Sequence, residues 1–135
     1  MDRLEIAEQF VAAINAHNLE RVVALMSADH RFCDSLGNVV EGHELMREGW
    51  AAYFGMVPDY HLNITGRFFA ADNDAEIVLV GMAHGSYAVD GHTRPNSLWS
   101  TPLAIRAVVH NSQIAEWHVY ADNEPIREQM RAMSA

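Results

Sequence analysis

The stretch AEIVLVGMAHGSYAV, residues 75–89, decides the predicted fold of this chain. After Glu76, its apolar side chains are interrupted only by small residues and by His84, which is typical of a long strand with two mainly apolar faces. An alternating segment precedes it at 59–69, and two similar runs follow at 97–110 and 112–122. The turn sequences Asp90-Gly91 and Asn111-Ser112 separate these runs, so we expect long antiparallel strands joined by hairpin-like connections.

The first part of the chain is predicted to be mainly helical. Asp2 and Glu5 form a capping pair, and a stripe at helical spacing follows as far as His17. Asn18 is suited to cap a second, short helix. The stripe of the first helix comprises Leu4, Ala7, Phe10, Val11 and Ile14.

A short strand and a third helix lie between these helices and the long strands. HRFCDS, residues 30–35, predicts the strand, closed by the turn Leu36-Gly37-Asn38, and Pro58 ends the helix. Asn123 is predicted to cap a last helical turn after the final strand. The order favours one α+β domain over residues 1–135, with helices packed on one face of a curved sheet that can enclose an apolar pocket. The apolar stripe of the third helix is Met46, Trp50, Tyr53, Phe54 and Val57.

Composition excludes several classes of function. The net charge of −9 disfavours nucleic acid and anionic lipid as partners, and no segment approaches the roughly 20 apolar residues of a membrane span. The N-terminus lacks the basic and then apolar layout of a signal peptide, so a cytoplasmic location is expected. The basic residues are all arginine, which removes lysine Schiff-base chemistry and lysine-anchored pyridoxal phosphate. Cys33 is the single cysteine, and no Walker or GxGxxG motif is present, so no cofactor is predicted.

Three segments resemble the SnoaL-like members of the nuclear transport factor 2 and ketosteroid isomerase superfamily. They are VVEGHELMREGWAAYF at 39–54, GMAHGSYAVDG at 81–91 and QIAEWHVYADNEPI at 113–126. The resemblance implies a cystatin-like, cone-shaped α+β barrel, commonly a homodimer through the outer face of the sheet, whose open end holds an apolar ligand. The superfamily includes isomerases, aldol cyclases, epoxide hydrolases, dehydratases and noncatalytic binders, so the fold leaves the reaction open.

The same resemblance singles out Asp34 and His84 as candidate catalytic residues. Asp34 occupies the place of a pocket-facing polar residue on the first strand, and Ala83-His84-Gly85 resembles a signature that aims the histidine inward. The last strand departs from the pattern, because Val119 stands where related enzymes carry an essential acid. Asp122 lies three residues further on and is expected on the opposite face of the strand. An arginine and aspartate pair is also missing, which disfavours limonene-epoxide-hydrolase chemistry.

Each candidate also has a purely structural interpretation. His84 shares a strand face with Val80 and Met82, and a histidine on either face can be a satisfied structural residue. Beside an apolar pocket the pKa of Asp34 would rise towards the range useful for acid/base catalysis, whereas a carboxylate before Leu36-Gly37-Asn38 can instead accept hydrogen bonds from the turn amides. Both interpretations stay open at the level of sequence.

Aromatic side chains are the expected walls of the ligand site, together with Val119. The eight histidines are scattered without an HExxH pattern, so no metal site is predicted. Two hypotheses follow. The first is a cofactor-independent enzyme that performs acid/base chemistry on an apolar carbonyl-bearing or polycyclic ligand; the second is a noncatalytic small-ligand-binding or dimeric interaction module. The aromatic candidates are Trp50, Tyr53, Phe54, Trp99 and Trp117.

Overall fold

The computed structural model describes residues 2–89 and 92–134. The predicted turn at Asp90-Gly91 lies outside these residues. Four helices are present in the described part: α1 (Arg3–Asn15), α2 (Leu19–Ala24), α3 (His43–Met56) and α4 (Glu124–Ser134). Six strands accompany them: β1 (Met26–Cys33), β2 (Val39–Glu41), β3 (His61–Phe69), β4 (Glu76–Val89), β5 (His92–His110) and β6 (Gln113–Ala121).

The strands form one mixed sheet in the order β2-β1-β6-β5-β4-β3. Neighbouring strands are antiparallel except β1 and β6, which pair in parallel, with Phe32 opposite Trp117 and Cys33 opposite His118. This α+β architecture with a curved sheet agrees with the fold expected from the sequence. The parallel pairing of β1 with β6 was not expected. The sequence pattern predicts β1 only as a short strand and does not indicate which distant strand it pairs with.

The predicted caps of the first two helices are confirmed. The Asp2 side chain accepts a hydrogen bond from the Glu5 amide at 2.9 Å, and the Asn18 side chain accepts one from the Arg21 amide at 3.1 Å. The last helix differs from its prediction, since α4 has 11 residues rather than one turn. At its start the Asp122 carboxylate accepts a hydrogen bond from the Glu124 amide at 2.9 Å.

Strand parity separates an inner face of the sheet from an outer face. Side chains at odd positions of β5 and β6, such as Leu103 and Trp117, belong to the buried core. Their register partners on the next strand are odd as well: Gly81 of β4 lies opposite Leu103, and Ala107 of β5 lies opposite Trp117. Helix α1 packs on this inner face through Phe10, whose ring centroid lies 4.7 Å from that of Trp117. Where the register is regular, side chains at even positions of β4 to β6 lie on the outer face. The irregularity between Val108 and Val109 reverses the parity locally, and Ile114 belongs to the core.

Candidate functional site

A cavity of about 450 Å³ lies between α3, the inner face of the sheet and α4. Most of its lining is apolar, and its volume falls within the range of small-molecule sites. The first strand, the last strand and the last helix all contribute side chains, so the cavity is assembled from distant parts of the chain. Its apolar walls include Phe32, Met46, Leu103, Ile105, Trp117, Val119, Ile126 and Met130.

Four aromatic side chains with polar atoms form one wall of this cavity: Trp50, Tyr53, Tyr60 and Trp99. Trp50 and Tyr53 lie one turn apart on α3 and meet edge to face, with 6.4 Å between ring centroids. Tyr53 meets Tyr60 edge to face at 4.9 Å, and Tyr60 in turn lies 6.2 Å from Trp99. We call these four residues the aromatic wall.

The aromatic wall carries hydrogen-bond donors without acceptors. The indole nitrogens of Trp50 and Trp99 are buried and have no partner among the described residues. The hydroxyls of Tyr53 and Tyr60 likewise make no hydrogen bond to another described residue. Burial raises the pKa of both phenols well above the ordinary value, so both remain protonated donors at neutral pH.

Tyr60 is held in place by the end of α1. His17 follows the C-cap residue Ala16 with a positive φ of 53°, and its Nε2 lies 2.9 Å from the Tyr60 carbonyl oxygen. The Asn15 side-chain amide exchanges two hydrogen bonds with the backbone of Leu62, at 2.8 and 2.9 Å. A Cβ on Gly85 would lie 2.3 Å from Val57, so this glycine lets the turn before Tyr60 approach β4 closely.

Asp34 also lines the cavity, near the end of β1. One carboxylate oxygen accepts hydrogen bonds from the amides of Leu36 and Asn38, each at 2.9 Å, and the other accepts one from the Asn38 side chain at 3.0 Å. Partial burial pushes the pKa of Asp34 upwards, but these hydrogen bonds outweigh it and lower the pKa below its ordinary value. Of the two interpretations left open by the sequence, the geometry agrees with the structural one: the carboxylate accepts the turn amides, and its pKa is not raised.

Further polar groups of the lining come from Ser35 and from the residues at the start of α4. The Asn123 side chain donates a hydrogen bond to the Ser35 hydroxyl oxygen at 2.6 Å, and Arg127 lies one turn further on α4. Both Asn123 and Arg127 line the cavity. Arg127 was not predicted as a lining residue because only one helical turn was expected there. Tyr60 was not predicted either, although it begins the alternating apolar set that continues with Leu62 in β3.

His84 does not line the cavity, which corrects the expected inward orientation. Its neighbours in β4, Ala83 and Gly85, lie on the inner face, so by strand alternation the imidazole lies on the outer face. There its ring stacks on that of His61, with 6.0 Å between centroids. The resemblance to the inward-aimed signature fails at this residue because the parity of β4 is opposite to the one it requires.

Most of the other residues that the sequence predicted for the ligand site line the cavity, and one does not. Trp50, Tyr53, Trp99, Trp117 and Val119 contribute to the cavity lining. Phe54 does not line the cavity; its ring stacks on that of His17, which follows α1, with 4.4 Å between centroids.

The profile of the SnoaL-like domain matches residues 7–117. A hypothetical protein with a ketosteroid isomerase-like fold from Catenulispora acidiphila, in complex with trimethylamine, superposes with a TM-score of 0.76 at 20% identity, over 93% of this chain and 91% of its own. A protein described as a candidate SnoaL-like polyketide cyclase from Jannaschia sp. CCS1 gives a TM-score of 0.80 at 13% identity, over 96% and 92%. Among curated proteins, none matches the chain.

The chain belongs to the SnoaL-like domain family, since the family profile spans most of its length. The structural neighbours, all at low identity, share its mixed α+β fold with a curved sheet. This family membership is consistent with either a small-molecule enzyme or a small-molecule binder. No described helix is both long and apolar enough to cross a membrane.

Proposed function

We propose that this protein binds a mainly apolar small molecule carrying a carbonyl or similar hydrogen-bond acceptor. The observation that carries the proposal is the aromatic wall, whose two indole and two phenol donors lack acceptors among the described residues. A buried donor without a partner costs about 1–3 kcal/mol, so a ligand oxygen placed beside this wall relieves a cost that the protein alone bears. The remaining apolar lining contributes by excluding water from the rest of the ligand.

Intrinsic fluorescence provides the direct test. The chain has three tryptophans, and all of them line the cavity: Trp50, Trp99 and Trp117. The emission of each tryptophan is therefore sensitive to a ligand in the cavity. The probes are polycyclic ketones and lactones, each compared with the hydrocarbon of the same shape. The proposal predicts saturable changes in emission and tighter binding of the oxygenated member of each pair. Equal affinities within the pairs, or no binding by any probe, would contradict it.

Acid/base catalysis on the bound carbonyl compound is the second candidate function. It is favoured by Asp34, which is the only carboxylate of the cavity lining in the described part of the chain. Its lowered pKa keeps it ionised at neutral pH, as a base must be, although it also makes the carboxylate a weaker base. A carboxylate in the lining and phenol donors on the aromatic wall are the groups that removal of a proton beside a carbonyl requires.

Hydrogen exchange distinguishes a catalyst from a binder. A bound ketone is incubated in D₂O, and deuterium incorporation beside its carbonyl is followed by NMR with the wild type and with Asp34→Asn. The asparagine keeps an oxygen that can accept the turn amides, so the fold of the turn is retained. Exchange that requires Asp34 supports an enzyme, whereas a ketone that binds without exchange leaves the noncatalytic binder.

We further propose that two copies of the chain associate through the outer face of the sheet. Large apolar side chains are exposed on this face, with 60% of Phe68, 70% of Leu98 and 51% of Tyr120 accessible. Large apolar side chains exposed on one face of a sheet are a feature of protein–protein interfaces.

A further inference from the structure

Three side chains of types that commonly bind metal ions lie close together on the outer face of the sheet, away from the cavity. They are Cys33 on β1 and Glu116 and His118 on β6, and each contributes a ligand atom within 4.8 Å of the other two. The parallel register explains the cluster: Cys33 lies opposite His118, and Glu116 precedes His118 by two residues and therefore shares its face. We call these residues the outer-face cluster.

The strands hold the cluster before any ion binds. Cys33 is only 5% exposed, and Glu116 and His118 are partly buried, so their side chains have less freedom than those of surface residues. All three stand on paired strands rather than on loops, which limits the reorganisation that binding requires.

Neighbouring groups leave a ligand atom available on both polar residues. The Tyr120 hydroxyl lies 3.2 Å from His118 Nδ1, and a ring that donates its Nδ1 hydrogen to this oxygen keeps a lone pair on Nε2. Arg106 Nη1 donates to Glu116 Oε1 at 3.0 Å, so a bond through Oε2 leaves that ion pair in place.

The local charge also suits a divalent cation. Arg106 pairs with both Glu76 and Glu116, so these three residues together carry a formal charge of −1. A thiolate at Cys33 would bring the total to −2, which matches a divalent ion. The net charge of −9 attracts cations to the protein as a whole.

We propose that Cys33, Glu116 and His118 form a binding site for a divalent transition-metal ion of the zinc type. One sulfur, one imidazole nitrogen and one carboxylate oxygen are ligands that zinc accepts in a tetrahedral arrangement, and three protein ligands leave the fourth position for water or another small ligand. Hard ions such as magnesium prefer oxygen ligands alone and are not favoured by this set. All ligands come from a single chain, so the site is complete in each copy and takes one ion.

Cobalt(II) is the probe for the test, since its absorption reports both a thiolate ligand and tetrahedral geometry. The full chain, kept reduced and free of other metals, is titrated with Co²⁺, and Zn²⁺ is then added to displace it. The proposal predicts one ion per chain, a sulfur-to-cobalt charge-transfer band, and complete displacement by Zn²⁺. No binding, or binding without the charge-transfer band, would overturn it.

Variants identify the ligands. Loss of a partner that only orients a ligand lowers metal affinity by roughly 10–100-fold, so Tyr120→Phe should fall in this range and Cys33→Ser or His118→Asn should weaken binding further. His84→Asn is the matched control, because it removes an outer-face histidine that stacks on His61 and lies outside the cluster.

Binding lost in His84→Asn but retained in Cys33→Ser would assign the ion to the surface histidine pair and overturn the proposal. Because Cys33 is buried, circular dichroism accompanies its variant. His118→Asn, at a partly exposed position, repeats the test where folding is less at risk.

Discussion

The rings of Tyr53 and Tyr60 meet edge to face, 4.9 Å apart, and neither hydroxyl bonds to another described residue. One residue belongs to α3 and the other precedes β3, so the pair joins the helical layer to the sheet at the cavity wall. Two adjacent donors at an apolar cavity are a specific means of recognising a single ligand oxygen, because both can donate to its lone pairs.

Replacing Tyr60 with phenylalanine tests this recognition. The variant keeps the ring contacts and removes one donor, so the Kd for a ketone should rise by roughly fivefold, about 1 kcal/mol, while the Kd for the matching hydrocarbon stays unchanged. Fluorescence titration measures both constants. Tyr120→Phe, on the outer face, is the control and should alter neither. Equal losses for ketone and hydrocarbon in Tyr60→Phe would mean that the phenol only shapes the cavity.

Substitutions on the two faces of β4 and β5 are expected to have different effects on ligand affinity. His84→Ala removes an outer-face ring and should leave ligand affinity as in the wild type. Trp99→Phe removes a lining indole and should weaken binding of ketones by several fold, since both area and a donor are lost. Both variants are compared at equal fractions of folded protein. A weaker Kd in His84→Ala would restore the inward orientation that the register excludes.

Association through the outer face is tested at Leu98. Leu98→Asp places a charge on this exposed apolar surface and should convert a dimer into a monomer, because a desolvated, unpaired carboxylate is costly at an interface. Sedimentation equilibrium measures the mass. Ala12→Asp, at an exposed position of α1, is the control and should leave the mass unchanged. A wild type that is monomeric at high concentration would contradict the proposed pairing.

Gly81 is required by the close approach of β3 to β4. A Cβ at this position would lie 2.0 Å from the backbone oxygen of Asn63, beside the irregular register between Ile64 and Gly66. Gly81→Ala should therefore lower the free energy of unfolding by about 1–3 kcal/mol or more. Gly55→Ala is the matched control: it lies in α3 with no atom near the added Cβ and should be stabilising by about 0.5–1 kcal/mol. Urea denaturation measures both, and equal changes would contradict the predicted clash.

Because of His30, we expect the free energy of unfolding to decrease in mild acid. His30 is fully buried; its Nδ1 donates to the Ile114 carbonyl oxygen at 2.7 Å, and Nε2 has no partner among the described residues. Burial lowers its pKa below the ordinary 6.5, an effect that His43 reinforces and that the Ile114 bond, Asp29 and Glu116 oppose. The unfolded chain thus binds the proton first, so stability is complete above pH 6.5 and decreases as the pH falls below it.

The contribution of His30 is measured by how steeply the free energy of unfolding changes with pH. Between pH 7 and 5 the free energy of unfolding of the wild type should decrease by up to about 1.4 kcal/mol per pH unit from this residue. His30→Asn keeps a donor for the Ile114 carbonyl without a titrating ring, so its slope should be smaller, whatever its absolute stability. His92→Asn, at an exposed position, should keep the wild-type slope. Equal slopes in all three proteins would show that His30 does not titrate between the two states.

Local patterns in the sequence are sufficient to determine much of the secondary structure. The caps at Asp2 and Asn18, the stop at Pro58 and the turn at Asn111-Ser112 follow from backbone chemistry that acts over a few residues. The period of apolar residues likewise separated helices from strands, and the segments resembling the SnoaL-like family were sufficient to predict the fold class. These features depend on neighbours in sequence, which is why a single chain reveals them.

Only the tertiary structure decided which side chains meet. The alternation of β4 in the sequence showed which residues lie together on each face of the strand, but not which of the two faces packs against the helices. His84 lies on the outer face, opposite to the orientation expected for it. The approach of α1 placed Tyr60 at the cavity, and the parallel pairing of β1 with β6 brought Cys33 beside Glu116 and His118. Such contacts depend on how helices and strands pack across long separations in sequence, and packing is set by the whole core rather than by any local pattern.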